Sequence, residues 1–353
     1  MRATLTMRAT LTCALVLLLL VACGNRATIP VADVPQGRAV VVVSGLASIS
    51  PFTSPDDACT VGLAAGSSDT ALREQLTTKG HTVYTAPAMA GPGRVTDRTG
   101  FGGFAACPAA LPENTTIDTT GSIDLAGEHL ARFIDFLHTD KAVDEVDLVG
   151  HSMGGLYARA AVRALSDAGS PVKVRSLTTI GTPWQGSYLS DYANGTVPLS
   201  DYLTDQFCES QMKGFAEDIT AVYVSGSARE VGQAYLMGPR GWNQVQAGAL
   251  GKIPVTLIAG DRFTRPGQTN VWPNDGIVAL RSALAVDIDD AVLPHRRCFS
   301  FADTHSDFVS AIANLAADTA LTWDPHVLDV VSGAINDATT ALDEPNRQGC
   351  PDR

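Results

Sequence analysis

Basic residues are scarce in this chain of 353 residues, in which 25 Lys and Arg stand against 37 Asp and Glu. The resulting formal net charge of −12 repels phosphate backbones and anionic lipid surfaces, which argues against nucleic-acid binding. Charged residues make up only 18% of the chain and apolar residues 45%, as in a globular enzyme rather than a disordered segment. No internal repeat is visible, so we expect one large domain or two small ones.

The seven cysteines lack any C-x-x-C pair or cysteine–histidine spacing typical of zinc sites. The sequence therefore predicts no metal. Outside the cytoplasm disulfides are the rule, and Cys59 and Cys107 lie in two loops of the first half where they could pair. The pairing is left open for the five cysteines that follow the N-terminal segment, which are Cys59, Cys107, Cys208, Cys298 and Cys350.

Long hydrophobic runs are also lacking, because the apolar stretch from Ala14 to Ala22 is too short for a comfortable transmembrane helix. With Arg2 and Arg8 before it, this stretch has the layout of a secretory signal. The run ends in Leu-Val-Ala-Cys at Cys23, which resembles a bacterial lipobox. We expect a signal peptide at 1–22, a lipidated Cys23, a tether at 23–36 and a place in the bacterial cell envelope, anchored or secreted. An ordinary signal peptide with an incidental Cys23 is the alternative; either cleavage removes two arginines and no acid, so the net charge becomes −14.

Strand and helix signals alternate along the rest of the chain. Apolar β-branched runs predict buried parallel strands, and the amphipathic stretches between them predict helices. Strands are expected at 39–43, 81–84, 146–149, 174–180, 253–259 and 297–301, and helices at 69–79, 122–137, 153–167 and 325–342. A further helix is expected after His305, with one face formed by Phe308, Val309, Ile312, Leu315 and Ala316. A stretch at 86–121 is expected to be a long loop. This rhythm predicts an α/β protein with a mostly parallel, doubly wound sheet and helices on both faces.

The sequence Gly150-His151-Ser152-Met153-Gly154 lies at a predicted strand-to-helix junction. G-x-S-x-G in this context is the nucleophile elbow, a tight turn that projects the serine hydroxyl above the sheet. The small residues on both sides keep the neighbouring backbone from clashing. Ser152 is therefore the candidate nucleophile, and the Met153 N–H at the helix start is a candidate donor to a negative oxygen.

Three motifs in the same order resemble those of bacterial lipases and esterases. They are G-H-S-M-G-G at 150–155, G-T-P-W-Q-G-S at 181–187 with Trp184 in place of the usual histidine, and N-D-G-I-V at 274–278. The resemblance runs from about residue 39 to 315 and implies an α/β-hydrolase fold. We then expect the hydrolase domain at 37–323, with a cap or lid insertion at 187–251, and a C-terminal helix and tail at 324–353.

The base and the acid follow the serine in this fold. His305 comes after the last predicted strand and is favoured as the base; His295 and His326 are the weaker alternatives. The resemblance favours Asp275 as the acid, whereas Asp261, directly after a strand, is the generic position. His151 is expected to be structural and to point away from the nucleophile.

The second oxyanion donor is expected after the first strand, at the N–H of Leu46. Lipases typically have His-Gly before this residue, so Ser44 at that histidine's position departs from the family pattern. The whole set predicts hydrolysis of a carboxylic ester, of lipid or acyl type, through an acyl-enzyme and without a cofactor. The alternatives are acyl transfer by the same triad and a non-catalytic binding lipoprotein.

Overall fold

The structure of the chain, a computed structural model, describes residues 37–56, 67–96, 107, 110–198, 200, 227–266, 270–342 and 347–352. The predicted signal peptide, Cys23, the tether, Cys59, Cys208 and much of the predicted cap lie outside the described residues. Within the described part, no helix combines the length and the apolar character needed to cross a membrane.

Six strands form one parallel sheet in the order β2-β1-β5-β6-β7-β8. They are β1 Arg38–Val43, β2 Val83–Thr85, β5 Glu145–His151, β6 Lys173–Ile180, β7 Val255–Gly260 and β8 Arg296–Phe301. A separate parallel pair is formed by β3 Ala88–Met89 and β4 Ile117–Asp118. The central strands are apolar on both faces because both faces are covered, as the continuous valine run of β1 predicts.

The helices complete two outer layers. They are α1 Ser67–Thr78, α2 Ile123–Lys141, α3 Gly154–Ala168, α4 Tyr188–Ala193, α5 Ser227–Glu230, α6 Gln233–Met237, α7 Trp242–Val245, α8 Leu280–Ala283, α9 Asp307–Ile312 and α10 Pro325–Asn336. Val41 and Val43 pack in one apolar cluster with α2 and α3, whereas Val40 and Val42 pack in a second cluster with α1 and α10. The alternation of β1 between two covered faces confirms the predicted doubly wound α/β-hydrolase fold.

Two expectations about local structure are wrong. The stretch 86–121 is more than a loop, because it contains β3 and β4. The helix predicted after His305 ends at Ile312, since Asn314 adopts a left-handed backbone with φ of 55°. Its expected apolar face is only partly buried: Val309 is buried, but 55% of Phe308 is exposed, and Phe308 lines a cavity.

The second half of the predicted cap is anchored by Arg159, a fully buried residue of α3. Its guanidinium donates hydrogen bonds to Oδ1 and to the carbonyl of Asn243, and lies 5.0 Å from the ring centre of Trp184 and 4.9 Å from that of Trp242. The Asn243 amide donates to the carbonyl of Trp184 at 2.8 Å. Trp184, which departs from the family's histidine, is thus part of the joint between α3 and α7.

Arg159→Ala should lower the free energy of unfolding by about 3 kcal/mol, because it leaves a cavity between two buried tryptophans and removes two hydrogen bonds. Arg163→Ala is the matched control, since Arg163 lies one turn further along α3, is half exposed and donates to the Val245 carbonyl. The control should change stability by less than about 1 kcal/mol. Urea unfolding of both variants measures the difference, and equal losses would contradict the anchoring role of Arg159.

Candidate functional site

Ser152 lies in the turn between β5 and α3 with a φ of 55°, a conformation unusual for a residue with a side chain. Its N–H donates to the carbonyl of Ile180 at 2.9 Å, and its own carbonyl accepts from Thr182 Oγ1 at 2.8 Å. The turn is therefore tied to the end of β6. Ser152 also lines a cavity at this end of the sheet.

The loop after β1 passes directly against this turn. A Cβ atom on Gly45 would lie 2.6 Å from the Ser152 Cβ and 3.1 Å from the Met153 nitrogen, so only glycine fits there. The next residue, Leu46, lines the same cavity as Ser152 and Met153. The structure thus brings together the nucleophile candidate and both residues predicted to supply oxyanion donors.

Asp275 and His305 form a hydrogen-bonded pair. His305 Nδ1 donates to Asp275 Oδ2 at 2.7 Å, and the backbone N–H of His305 donates to the Asp275 carbonyl at 2.7 Å. Asp275 Oδ1 accepts from the N–H groups of Ile277, at 2.9 Å, and Val278, at 2.7 Å. A carboxylate held in this way fixes the imidazole with its Nδ1 protonated, which leaves Nε2 able to accept a proton.

Gly181, the first residue of the G-T-P motif, is packed against this pair. It adopts a φ of +59°, and a Cβ there would lie 2.9 Å from His305 Nδ1 and 3.1 Å from Asp275 Oδ2. Sequence reasoning used this motif only as a mark of resemblance and missed its packing role. The position of Gly181 directly after a predicted strand, next to the threonine of the motif, is the sequence feature that could have indicated this packing role.

The alternative residues lie elsewhere. The N–H of Asp261 donates to the Phe301 carbonyl. Burial is the main cause that raises the pKa of Asp303 to about 7, and the carboxyl groups of Asp324 and Asp261 add to it. His295 precedes β8 and so lies at the opposite end of the strand from His305. His326 is in the first turn of α10 with 84% of its side chain exposed, and it contacts Asp324.

Ser44, where the sequence departs from the lipase pattern, has buried hydrogen-bond partners in the structure. Ser44 is buried and donates to Asp69 Oδ2, while its oxygen lies 2.7 Å from that of Ser50. Burial raises the pKa of Asp69 to about 6, against the lowering effect of the Ser44 hydrogen bond. Asp69 Oδ1 lies 3.9 Å from Nδ1 of His151.

His151 differs from its expected orientation, because it is buried beside His305 and lines the same cavity as Ser152. Its Nε2 is 3.0 Å from the His305 carbonyl oxygen, and the two rings are 4.9 Å apart at their centres. Burial is the main cause that lowers the pKa of His151 to about 3.

The cavity has a volume of about 260 Å³. Its walls are mainly apolar, with contributions from Leu46, Pro183, Val231, Ile277, Val309 and Phe308. This volume is just below the range of about 300–1,000 Å³ typical of small-molecule sites. The cavity therefore suits an apolar group of modest size beside Ser152 and His305.

Cys298 and Cys350 form a disulfide, and Cys107 is also disulfide-bonded. Cys59, the candidate partner of Cys107, lies outside the described residues. Among the residues that the structure describes, no group of three or more His, Cys, Asp or Glu side chains could hold a metal ion.

Known proteins match parts of the chain. A family model described as the PGAP1-like alpha/beta domain matches residues 127–246. Triacylglycerol lipases of Pseudarthrobacter phenanthrenivorans and Burkholderia plantarii are each 38% identical over an alignment of 119 residues; the matches cover 28% of this chain and 36% and 32% of those proteins, respectively. The chain thus spans about a third of the length of these curated relatives.

Solved structures with a similar fold include a lipase of Bacillus licheniformis in mature form, with 16% identity over 71% of this chain and 80% of that chain and a TM-score of 0.41. An esterase of Pyrococcus furiosus has 13% identity over 86% of this chain and 83% of its own, with a TM-score of 0.44. The resemblance to bacterial lipases and esterases of the α/β-hydrolase superfamily, first indicated by three motifs, is supported by the sequence matches to triacylglycerol lipases and to the PGAP1-like alpha/beta domain.

The two candidate acids can be separated by substitution. Asp275→Asn should slow phosphonylation of Ser152 by a fluorophosphonate probe about 10³- to 10⁴-fold, because the amide no longer holds His305 in the required tautomer. Asp261→Asn is the matched control and should leave the rate nearly unchanged. The rate is followed by intact-protein mass spectrometry, and the reverse ranking would move the role of the acid to Asp261.

Proposed function

We propose that this chain is a carboxylic ester hydrolase that acts on lipid or acyl esters through an acyl-enzyme. The observation that carries the proposal is the hydrogen-bonded Asp275–His305 pair, whose histidine lines one apolar cavity together with Ser152 in its left-handed turn. The similarity to triacylglycerol lipases supports the same reaction class, and the PGAP1-like family match covers residues 127–246, which include the elbow.

In the first half of the reaction, Ser152 Oγ attacks the ester carbonyl carbon and its proton passes to His305 Nε2. The carbonyl oxygen becomes an oxyanion, for which the N–H groups of Leu46 and Met153 are the proposed donors. The N–H of Met153 lies at the start of α3, where the helix dipole also favours negative charge. Collapse of this intermediate expels the alcohol, which takes the proton from His305.

In the second half, His305 removes a proton from water, which attacks the acyl-enzyme. The same donors hold the second oxyanion, and the carboxylic acid leaves as Ser152 regains its proton. Asp275 keeps its hydrogen bond to Nδ1 throughout and stabilises the imidazolium when it forms. The reaction as written needs no cofactor.

The apolar walls of the cavity support an acyl group as the part of the substrate that is buried. A volume of about 260 Å³ favours acyl groups of modest size over long chains that would have to extend beyond it. Ser187 and Ser190 also line the cavity and give it a polar side.

Ser152→Ala should reduce hydrolysis of a p-nitrophenyl ester by about 10⁴- to 10⁶-fold, because the acyl-enzyme can no longer form. Ser166→Ala is the matched control, since Ser166 is an exposed serine of α3, the helix that follows the elbow. The control should retain full activity, and both variants should unfold at the wild-type temperature. Substantial turnover by Ser152→Ala would contradict the mechanism, and acyl transfer to added glycerol in preference to water would change the product class.

The lipobox-like sequence also supports a proposal that Cys23 is lipidated and that the enzyme is held at a membrane of the bacterial cell envelope. Two acyl signals are needed for stable anchoring, and a diacylated terminal cysteine provides them. Cys23→Ser should move the protein from the detergent phase to the aqueous phase after expression in a bacterial host. Cys13→Ser, directly before the apolar run, is the matched control and should partition like the wild type. The same shift in both variants, or in neither, would contradict lipidation of Cys23.

A further inference from the structure

His151 links the segment that carries the nucleophile to the segment that carries His305. It directly precedes Ser152, and its side chain crosses to the main chain of His305, with Nε2 at 3.0 Å from the carbonyl oxygen. A carbonyl oxygen only accepts, so Nε2 carries the proton and donates. The ring also packs on the His305 ring, at 4.9 Å between centres.

The surroundings of His151 keep it in this donor state. The titratable groups that face it are His305, on the loop after β8, and Asp69, in the first turn of α1, with Oδ1 at 3.9 Å from Nδ1. Asp307 acts on Asp69 and helps to raise its pKa. Because burial and His305 together lower the pKa of His151 to about 3, the ring is neutral in ordinary buffers, and its single proton stays on Nε2.

We propose that His151 is a positioning residue for His305, an inference that rests on the proposed function of the site. Both main-chain polar groups of His305 are then engaged: its N–H by the Asp275 carbonyl at 2.7 Å and its carbonyl by His151. The first bond sets the imidazole relative to the acid. The second sets it relative to the nucleophile, because His151 and Ser152 are consecutive residues of one rigid turn.

This arrangement separates positioning from chemistry. His151 lines the cavity but does not touch the reacting atoms in the proposed mechanism, so its loss should lower kcat much more than it changes KM. It should misplace the His305 ring, and a displacement of about 1 Å is enough to slow a reaction about 100-fold.

The test compares His151→Leu, which removes the donor, with His151→Gln, whose amide can place an N–H near the position of Nε2. His151→Leu should lower kcat for a p-nitrophenyl ester by about 10- to 100-fold with little change in KM, and His151→Gln should recover most of the loss. His138→Leu is the matched control, because His138 Nδ1 lies 3.1 Å from the Val143 carbonyl at the opposite end of β5. It should leave kcat unchanged.

A second readout does not depend on turnover. The His305 Nδ1 proton, held at 2.7 Å between nitrogen and oxygen, should give a low-field proton NMR resonance that disappears in His305→Asn. His151→Leu should shift or broaden this resonance, and His151→Gln should restore it. Should His151→Leu fail to fold, His151→Asn gives the same comparison, because its shorter amide stops short of the carbonyl.

The two readouts distinguish the failure of this inference from the failure of the proposed function. If wild type and Ser152→Ala are equally inactive on esters, the proposed function is wrong, and the resonance still tests the positioning of His305. If wild type is active but His151→Leu keeps its kcat and its resonance, the positioning role is overturned. A loss in His151→Leu that His151→Gln does not recover also overturns it, because the donor would then not be the cause.

Discussion

The close approach of three backbone segments around Ser152 is the constraint on which the rest of the site depends. A left-handed φ of 55° at a serine costs about 1–2 kcal/mol, and it persists only because the surroundings allow no other path. The loop after β1 touches the turn so closely that a Cβ on Gly45 would lie 2.6 Å from that of Ser152. At the start of α3, a Cβ on Gly154 would lie 2.1 Å from the carbonyl oxygen of Val43, the last residue of β1. The absence of side chains at these glycines lets the serine stand between a strand end and a helix start.

The parallel sheet turns this local constraint into a complete site. Since all six strands run in one direction, their carboxyl ends meet at one edge, and the loops that leave them lie side by side there. Gly45 follows β1, Ser152 follows β5, Gly181 follows β6 and His305 follows β8. Asp275 comes from a longer excursion after β7, and Gly181 leaves just enough room for it to reach His305. Gly45 and His305 are 260 positions apart in the sequence and line the same cavity.

Local sequence patterns were sufficient to predict the six strands of the main sheet, the long helices and the residues that the structure brings together at this edge. Ser152 and Asp275 each lie in a short motif and His305 follows the last predicted strand, so all three could be named before their distances were known. Contacts between side chains that are far apart in the chain could not be predicted from local sequence patterns. The contacts of Arg159 depend on both Trp184 and α7, and the hydrogen bond of Ser44 depends on Asp69 of α1. The amphipathic pattern after His305 misled for a related reason: Phe308 faces the cavity, and an apolar residue beside a substrate site has the same signature as one in the core.

Asp275 and Asp69 are both buried, but they differ in the hydrogen bonds that they accept. Asp275 accepts from two backbone N–H groups and from the His305 ring, so its charge is matched by donors that do not move. Asp69 accepts from one hydroxyl, that of Ser44, and burial raises its pKa from 3.8 to about 6. Because the pKa of Asp69 is higher in the folded chain than in the unfolded chain, the free energy of unfolding falls as the pH rises from about 4 to about 6. Asp69 causes no further loss above that range. Asp69 therefore weakens the fold once the unfolded chain can ionise it, whereas Asp275 is held ready to stabilise an imidazolium. The carboxylate suited to orient His305 is the one whose negative charge the backbone already supports.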